Sequence, residues 1–159
     1  MSDTTTAPAA ADAATQAALE RLNTVIDRLI APDGCPWDST QTPESLTEYV
    51  IEECHELVDA IRSGKTADMV EELGDVAFLI LLIGKLMARA GGPSLADALE
   101  VEAAKMVRRH PHVFSDTTYE SQSEQLKDWD RIKREEKAAA DAEGPKGTYD
   151  SLPPNFPPF

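Results

Sequence analysis

Apolar residues recur every three or four positions along most of this chain, which is the spacing that amphipathic α-helices require. The first such stretch begins at Ala13 and ends near Pro32, and its apolar positions are Leu19, Leu22, Val25, Ile26 and Leu29. No stretch shows the alternation of apolar and polar residues that is typical of a half-buried β-strand. The pattern therefore predicts an all-α fold, an antiparallel bundle of about five helices.

Capping and turn residues predict where the other helices begin and end. Thr42 is an expected N-cap, because Pro43 and Glu44 follow it at positions where a proline and an acid favour a helix start. The remaining expected boundaries are a turn over Ser63–Thr66, a stop at Gly91-Gly92-Pro93 after about Ala90, a cap at Ser94, an end near Arg109, and a last helix from about Tyr119 to Ala142.

The chain has 159 residues, enough for one domain with a substantial core. We expect a helical domain over residues 13–142, preceded by a disordered segment, 1–12, and followed by a Pro-rich tail, 143–159, that is extended or disordered. The longest apolar run, Val76–Ile83, is too short to cross a bilayer and predicts a helix buried on all sides.

The net charge of the chain argues against two classes of binding partner. The formal net charge is −14, from 29 acidic and 15 basic residues. Nucleic acids and anionic membranes both favour an excess of Lys and Arg, so neither is expected as a partner. Two cysteines are too few for a disulfide scaffold or a zinc module, and they favour a reduced, cytoplasmic location.

Two clusters of acids flank the expected turn at Gly64. If the helices on either side form an antiparallel hairpin, residues equidistant from Gly64 lie at the same height. This pairs Glu56 with Glu72, and Glu53 with Asp75. Within each helix the two acids are three residues apart, which places them on nearly one face. The four carboxylates are therefore expected to converge.

The acids also border an apolar stripe, which consists of Leu46, Val50, Leu57 and Ile61. Glu53 projects at the margin of this stripe, and Glu52 projects on its opposite side. Acids that crowd a core edge repel one another and lose hydration, costs that a divalent cation with oxygen ligands would offset. An ordinary solvated acidic face fits the pattern about equally well, so both interpretations stay open. Cys54, within the stripe, and Trp37, in the preceding loop, are expected to be packed.

The acidic pattern, Glu52-Glu53-x-x-Glu56 and then Glu72-x-x-Asp75, resembles the signature of the MazG-type, all-α nucleoside triphosphate pyrophosphohydrolases. The flanking blocks agree with this resemblance: they are CPWD at 35–38 with QTPESLTEYVIEE after it, KMVRRHPHVF at 105–114, and Trp129 with IKREEK at 132–137. The blocks follow the family's order from about residue 20 to residue 137. Many members carry two such domains in tandem, and the single domain here most resembles the first.

The resemblance implies a Mg²⁺-dependent enzyme, with Mn²⁺ as a substitute, that cleaves NTPs or dNTPs between the α and β phosphates to a monophosphate and pyrophosphate. A role in cleaning the nucleotide pool and assembly as a homodimer or homotetramer are implied as well. The residues that match the family's metal ligands are Glu53, Glu56, Glu72 and Asp75. Those that match its phosphate-binding and nucleotide-binding positions are Lys105, Arg108, Arg109, Trp129 and Lys133.

Several alternatives remain at the level of sequence. Glu52 or Glu71 is expected to orient or deprotonate the attacking water, and the sequence does not choose between them. Trp129 is about equally compatible with core packing, and the basic residues at 105–109 with a favourable helix C-terminus. The rival functions are a catalytically silent helical dimerisation module, and a relative that acts on phosphoribosyl-ATP or on one pyrimidine dNTP.

Overall fold

The computed structural model describes residues 6–140, with side chains from Asp12 onward. Its helices are α1 (Thr6–Leu29), α2 (Thr47–Ser63), α3 (Thr66–Arg89), α4 (Leu95–Arg109), α5 (Pro111–Phe114) and α6 (Gln122–Ala140), with two 3₁₀ turns, Asp38–Thr40 and Glu44–Leu46, between α1 and α2. No β-strand occurs among the described residues, which confirms the all-α prediction. None of these helices is long and apolar enough to span a bilayer.

Three helix ends differ from the sequence pattern. α1 begins at Thr6, inside the segment expected to be disordered, because its Ala-rich start has high helix propensity. α2 begins only at Thr47, after a 3₁₀ turn. α5 lies in a segment expected to be a connector, and it begins with Pro111, which is compatible with a first helical position. Residues 1–5 and the predicted tail, 143–159, lie outside the described residues.

Two reciprocal caps confirm the predicted cap residues. The Ser45 N–H donates to Thr42 Oγ1 over 3.2 Å, and the Thr42 N–H donates to Ser45 Oγ over 3.0 Å. At the start of α4, the Asp97 N–H donates to Ser94 Oγ over 3.3 Å, and the Ser94 N–H donates to the Asp97 carboxylate over 2.7 Å. Each pair satisfies backbone groups that a helix start leaves without partners.

The chain forms two compact units, which meet in sequence between Ala98 and Leu99. In the first unit, α1, the Glu44–Leu46 turn and α3 share a core whose buried members are Ile26, Leu46, Leu79, Leu81, Leu82 and Leu86. α2 packs along α3 as a hairpin. Gly64 closes this hairpin with φ 70°, a left-handed conformation that glycine adopts without steric cost. The predicted turn is thereby confirmed.

The core covers less of the hairpin than the sequence suggested. Ile80, within the run expected to be buried on all sides, is 49 % exposed, and Ile61, at the end of the predicted stripe, is 57 % exposed. Cys54 is also exposed, so the expectation that it packs in the core is wrong for the single chain. Ile80 lies on α3, whereas Ile61 and Cys54 lie on α2, so the described residues leave part of each helix uncovered.

The second unit contains most of α4, together with α5 and α6. Its connector is held by the Tyr119 hydroxyl, which donates to the Asp128 carboxylate over 2.6 Å. Arg131 Nε donates to the same carboxylate over 2.8 Å. The hydrogen bond from Tyr119, and then the one from Arg131, lower the pKa of Asp128, which therefore stays ionised and keeps both partners.

Two helical glycines provide a test of the packing in the first unit. A Cβ on Gly84 would lie 2.6 Å from Leu95 Cβ, whereas a Cβ on Gly74 would meet no atom within 4 Å. We expect Gly84→Ala to lower the free energy of unfolding by about 1–3 kcal/mol through overpacking. Gly74→Ala is expected to raise it by about 0.5–1 kcal/mol through helix propensity. Urea denaturation of both variants measures the two values, and a stabilised Gly84→Ala would contradict the close approach of α3 to the start of α4.

Candidate functional site

Three carboxylates converge on one side of the α2–α3 hairpin. Carboxylate oxygens of Glu53, Glu56 and Glu72 all lie within 4.8 Å of one another. Glu53 and Glu56 are one turn apart on α2, and the Gly64 turn sets the height at which Glu72 of α3 faces them. Oxygen atoms at this separation suit a hard divalent cation such as Mg²⁺ or Ca²⁺, which takes carboxylate ligands. We call these three residues the carboxylate cluster.

Asp75, the fourth acid expected at this place, lies outside the carboxylate cluster and is exposed. Its charge still reaches the cluster, because it contributes to the raised pKa values of both Glu53 and Glu72. The structure therefore brings three of the four predicted metal ligands together.

The cluster is electrostatically uncompensated. Among the described residues, no ion pair involves Glu53, Glu56 or Glu72, and the two bases beside the Gly64 turn pair elsewhere, Arg62 with Asp59 and Lys65 with Asp68. Loss of hydration is the main cause that raises the pKa of Glu53, followed by the charges of Asp75, Glu56 and Glu52. Loss of hydration also leads for Glu72, followed by the neighbouring acids. Repulsion of this kind favours a bound cation.

Glu52 and Glu71, the two candidates for handling water, are exposed neighbours of the cluster. The charge of Glu52 contributes to the raised pKa of Glu53, and the charge of Glu71 contributes to that of Glu72. Each is thus close enough to one cluster member to affect its charge, and the structure does not choose between them.

The predicted nucleotide-binding residues lie in the second unit, where most of them form one group around Trp129. Lys133 Nζ lies 4.4 Å from the centroid of the Trp129 ring, and Arg109 Cζ lies 5.9 Å from it, both within the range of cation–π attraction. Arg108 and Arg109 both donate to the carboxylate of Glu136. Lys105 is set apart from this group, in an ion pair with Glu102. We call Arg108, Arg109, Trp129, Lys133 and Glu136 the cationic cluster.

Sequence reasoning missed Glu136, although a signal was present. On α6, Glu136 is seven residues after Trp129 and three after Lys133, so the three share a helix face. A carboxylate on that face is the natural partner for the two consecutive arginines at the end of α4. The family motif that contains the two arginines indicated basic side chains that bind phosphate. It gave no reason to look for an acid that pairs with them.

The loop before α2 presents aromatic surface. The rings of Trp37 and Tyr49 are 5.6 Å apart and perpendicular, and Trp37 is 48 % exposed. The Trp37 carbonyl accepts hydrogen bonds from Thr40 Oγ1 over 2.9 Å and Gln41 Nε2 over 3.0 Å. Trp37 is therefore held in place by its backbone and is only half packed, in contrast to the expectation.

Comparisons with known proteins point to one family. Residues 41–114 match the MazG nucleotide pyrophosphohydrolase domain. The chain is 40 % identical over 74 % of its length to the nucleoside triphosphate pyrophosphohydrolase/pyrophosphatase MazG of Thermotoga maritima, and 36 % identical over 87 % of its length to the nucleoside triphosphate pyrophosphohydrolase of Escherichia coli K12. These matches cover 45 % and 52 % of the two relatives, so the chain spans about half the length of each.

A solved structure is similar over nearly its whole length. The crystal structure of a mazG-related protein from Thermotoga maritima is 30 % identical to this chain, with a TM-score of 0.62. The match covers 72 % of this chain and 98 % of that protein.

Neutralising one member of the carboxylate cluster is expected to stabilise the metal-free protein and to reduce its stabilisation by metal. Glu53→Gln removes repulsion, so we expect a higher thermal midpoint without metal and a smaller increase on addition of excess MgCl₂. Glu48→Gln, an equal charge change in the first turn of the same helix, is the control and should leave the increase with MgCl₂ unchanged. Equal MgCl₂ responses of Glu53→Gln and the wild type would contradict a cation site at the cluster.

The raised pKa values predict a pH dependence. A carboxyl whose folded-state pKa is raised binds more protons in the native state, so its unfavourable contribution is absent at low pH and appears as pH rises through the raised pKa. We expect Glu72→Gln, without metal, to match the wild type in thermal midpoint well below pH 4.5 and to exceed it near neutral pH. Thermal melts across this range in EDTA measure the difference. A gap that shrinks as pH rises would contradict the assigned repulsion.

Proposed function

This chain belongs to the MazG nucleotide pyrophosphohydrolase family, and we propose that it hydrolyses nucleoside triphosphates between the α and β phosphates, giving a monophosphate and pyrophosphate. The observation that carries the proposal is the carboxylate cluster, which lies inside the family-matched segment and has no compensating base among the described residues. Such a group repels the polyanionic substrate unless a cation is present, so metal and substrate binding are expected to be linked.

The carboxylate cluster fits Mg²⁺, with Mn²⁺ as a substitute, because its donors are all carboxylate oxygens and their charge is unbalanced. Glu53, Glu56 and Glu72 would hold the ion, and Asp75 would complete the set. When bound, such an ion polarises the phosphoryl group and lowers the pKa of coordinated water. Glu52 or Glu71, each next to a ligand in sequence, would orient or deprotonate the attacking water.

We further propose that residues of the second unit bind nucleotide. Lys105, Arg108 and Arg109 supply N–H donors for phosphate oxygens and stabilise the charge that develops on the leaving pyrophosphate. Trp129 offers a ring for stacking or for walling the site, and the ammonium of Lys133, 4.4 Å from its centroid, adds a further positive charge. We also propose a cytoplasmic role in removing unwanted NTPs or dNTPs from the nucleotide pool.

We also propose that the chain assembles as a homodimer or homotetramer. The hairpin of α2 and α3 exposes apolar side chains that a single copy leaves uncovered: they are Ile51, Val58, Ile61, Val70, Leu73 and Ile80. Exposed apolar surface of this kind on a soluble helix pair is typical of an interface. A second copy, with the same acidic character along its own hairpin, would have to bury these side chains while keeping the carboxylate clusters solvated or metal-bound.

Turnover of a panel of NTPs and dNTPs tests the function. Reaction in H₂¹⁸O with MgCl₂ should give pyrophosphate and place the label in the monophosphate, because water attacks the α-phosphorus. Glu56→Ala and Asp75→Ala should each lower the rate by about 100-fold or more, since metal ligands matter at least as much as their outer-shell partners. Asp59→Ala, on α2 near Glu56 but in an exposed pair with Arg62, is the matched control.

The outcomes separate the alternatives. A wild type that is folded and binds Mg²⁺ but turns over no nucleotide would identify a silent helical module. If the products are ¹⁸O-labelled inorganic phosphate and a nucleoside diphosphate, the cleaved bond is not the one between the α and β phosphates. Full activity in Asp75→Ala would remove Asp75 from the set of ligands while leaving the carboxylate cluster in place.

A further inference from the structure

Within the second unit, one carboxylate holds two consecutive arginines. Arg108 Nε donates to Glu136 Oε1 over 3.0 Å, while Arg109 Nε and Nη2 both lie 2.8 Å from Glu136 Oε2. Consecutive residues of a helix point about 100° apart, so neighbouring side chains do not normally meet. The two guanidinium groups converge because Glu136 provides each of them with its own oxygen.

The geometry leaves one side of each guanidinium available. Glu136 takes the Nε of both arginines, and among the described residues neither Nη group of Arg108 and not the Nη1 of Arg109 has an acceptor. A guanidinium carries five N–H donors in a fixed plane. Fixing the Nε edge therefore fixes the direction of the remaining N–H groups, which suit the oxygens of a phosphate.

The charge of the cluster stays positive after this pairing. Arg108, Arg109 and Lys133 contribute three positive charges and Glu136 one negative charge, which leaves a surplus of two in a chain whose net charge is −14. The side chains of Arg109 and Glu136 are only 18 % and 21 % exposed, so solvent screens this pair less than an ordinary surface pair. The pair is thus suited to hold a defined geometry.

We propose that Glu136 is a positioning residue, which fixes Arg108 and Arg109 next to each other so that their free N–H groups bind phosphate oxygens of the substrate. This inference rests on the proposed function and extends it to Glu136, an acid whose charge has the same sign as that of the phosphate. The competing possibility has the opposite sign: a carboxylate that merely occupies the arginines would compete with phosphate, and its removal would strengthen binding.

Glu136→Gln separates these possibilities. The amide keeps one acceptor oxygen and places an N–H₂ group against a guanidinium, so one arginine loses its anchor even though the cluster becomes more positive. We expect the KM for the Mg²⁺-bound nucleotide to rise by roughly tenfold, the usual scale for one charge-assisted hydrogen bond, with a smaller change in kcat. Glu136→Asp, which keeps the charge and both oxygens, should recover part of this loss.

Glu135→Gln is the matched control. Glu135 is the adjacent acid on α6, and both of its oxygens lie 2.8 Å from Arg131 Nη1, away from the cationic cluster. The control removes the same charge and should leave KM unchanged. A lower KM in Glu136→Gln, an unchanged KM, or the same rise in both variants would each overturn the inference. If Glu136→Gln does not fold, Glu136→Asp is compared with Glu135→Asp. A higher KM in Glu136→Asp alone is then the expected result.

Binding of inorganic tripolyphosphate in the presence of MgCl₂ distinguishes failure of this inference from failure of the proposed function. Calorimetry with the wild-type protein, Glu136→Gln and Glu135→Gln requires no turnover. Weaker binding in Glu136→Gln alone supports the positioning role even if no nucleotide is hydrolysed. Active wild-type enzyme whose tripolyphosphate affinity and KM do not respond to Glu136→Gln would reject the positioning role and leave the proposed hydrolysis intact.

Discussion

Repulsion among the acids of the α2–α3 hairpin is the constraint on which the rest of the structure depends. Carboxylates of Glu53, Glu56 and Glu72 stand within 4.8 Å of one another without a basic partner among the described residues. This arrangement costs free energy in the absence of a cation, so it persists only because other contacts hold the hairpin closed. The apolar contacts of the same hairpin must therefore offset the cost.

α3 provides the apolar contacts that offset this cost, because its two halves differ in burial. The half that follows the Gly64 turn carries Glu72 and Asp75 and contains no buried residue, whereas the following half carries the buried Leu79, Leu82 and Leu86. The second half packs into the core with α1, and the helix is continuous, so the anchored half fixes the position of the acidic half. Rigid support from a packed helix is what a preformed ligand set requires.

In the second unit the charges that crowd together are positive. There, like charges of Arg108 and Arg109 are held together by a single acid, and the ring of Trp129 adds a weaker attraction for Arg109 and Lys133. Acids thus converge with no counter-charge in one unit, and bases converge around a counter-charge in the other.

The sequence allowed much of this to be predicted, because helix periodicity, caps and the Gly64 turn are local features. Glu56 and Glu72 were expected to face each other because they are equally far along the chain from that turn. Exposure was harder to predict: Cys54 and Ile80 looked buried from their neighbours in sequence, but burial depends on which elements surround a helix. The spacing of Glu136 from Trp129 and Lys133 on α6 is a local signal, but its pairing with two arginines depends on a contact between α4 and α6 that the spacing does not specify.

The two tryptophans of the chain divide between its two units, Trp37 in the first and Trp129 in the second. Trp37 is half exposed, sits edge-on to Tyr49 and is fixed by its own carbonyl, while Trp129 lies under two cations. The fluorescence emission spectra of the two indoles should therefore differ, because water contacts part of the Trp37 ring whereas two cations lie close to the Trp129 ring. The molecule therefore carries an intrinsic fluorophore for each half, and replacing either indole by phenylalanine would let the other report on its own surroundings.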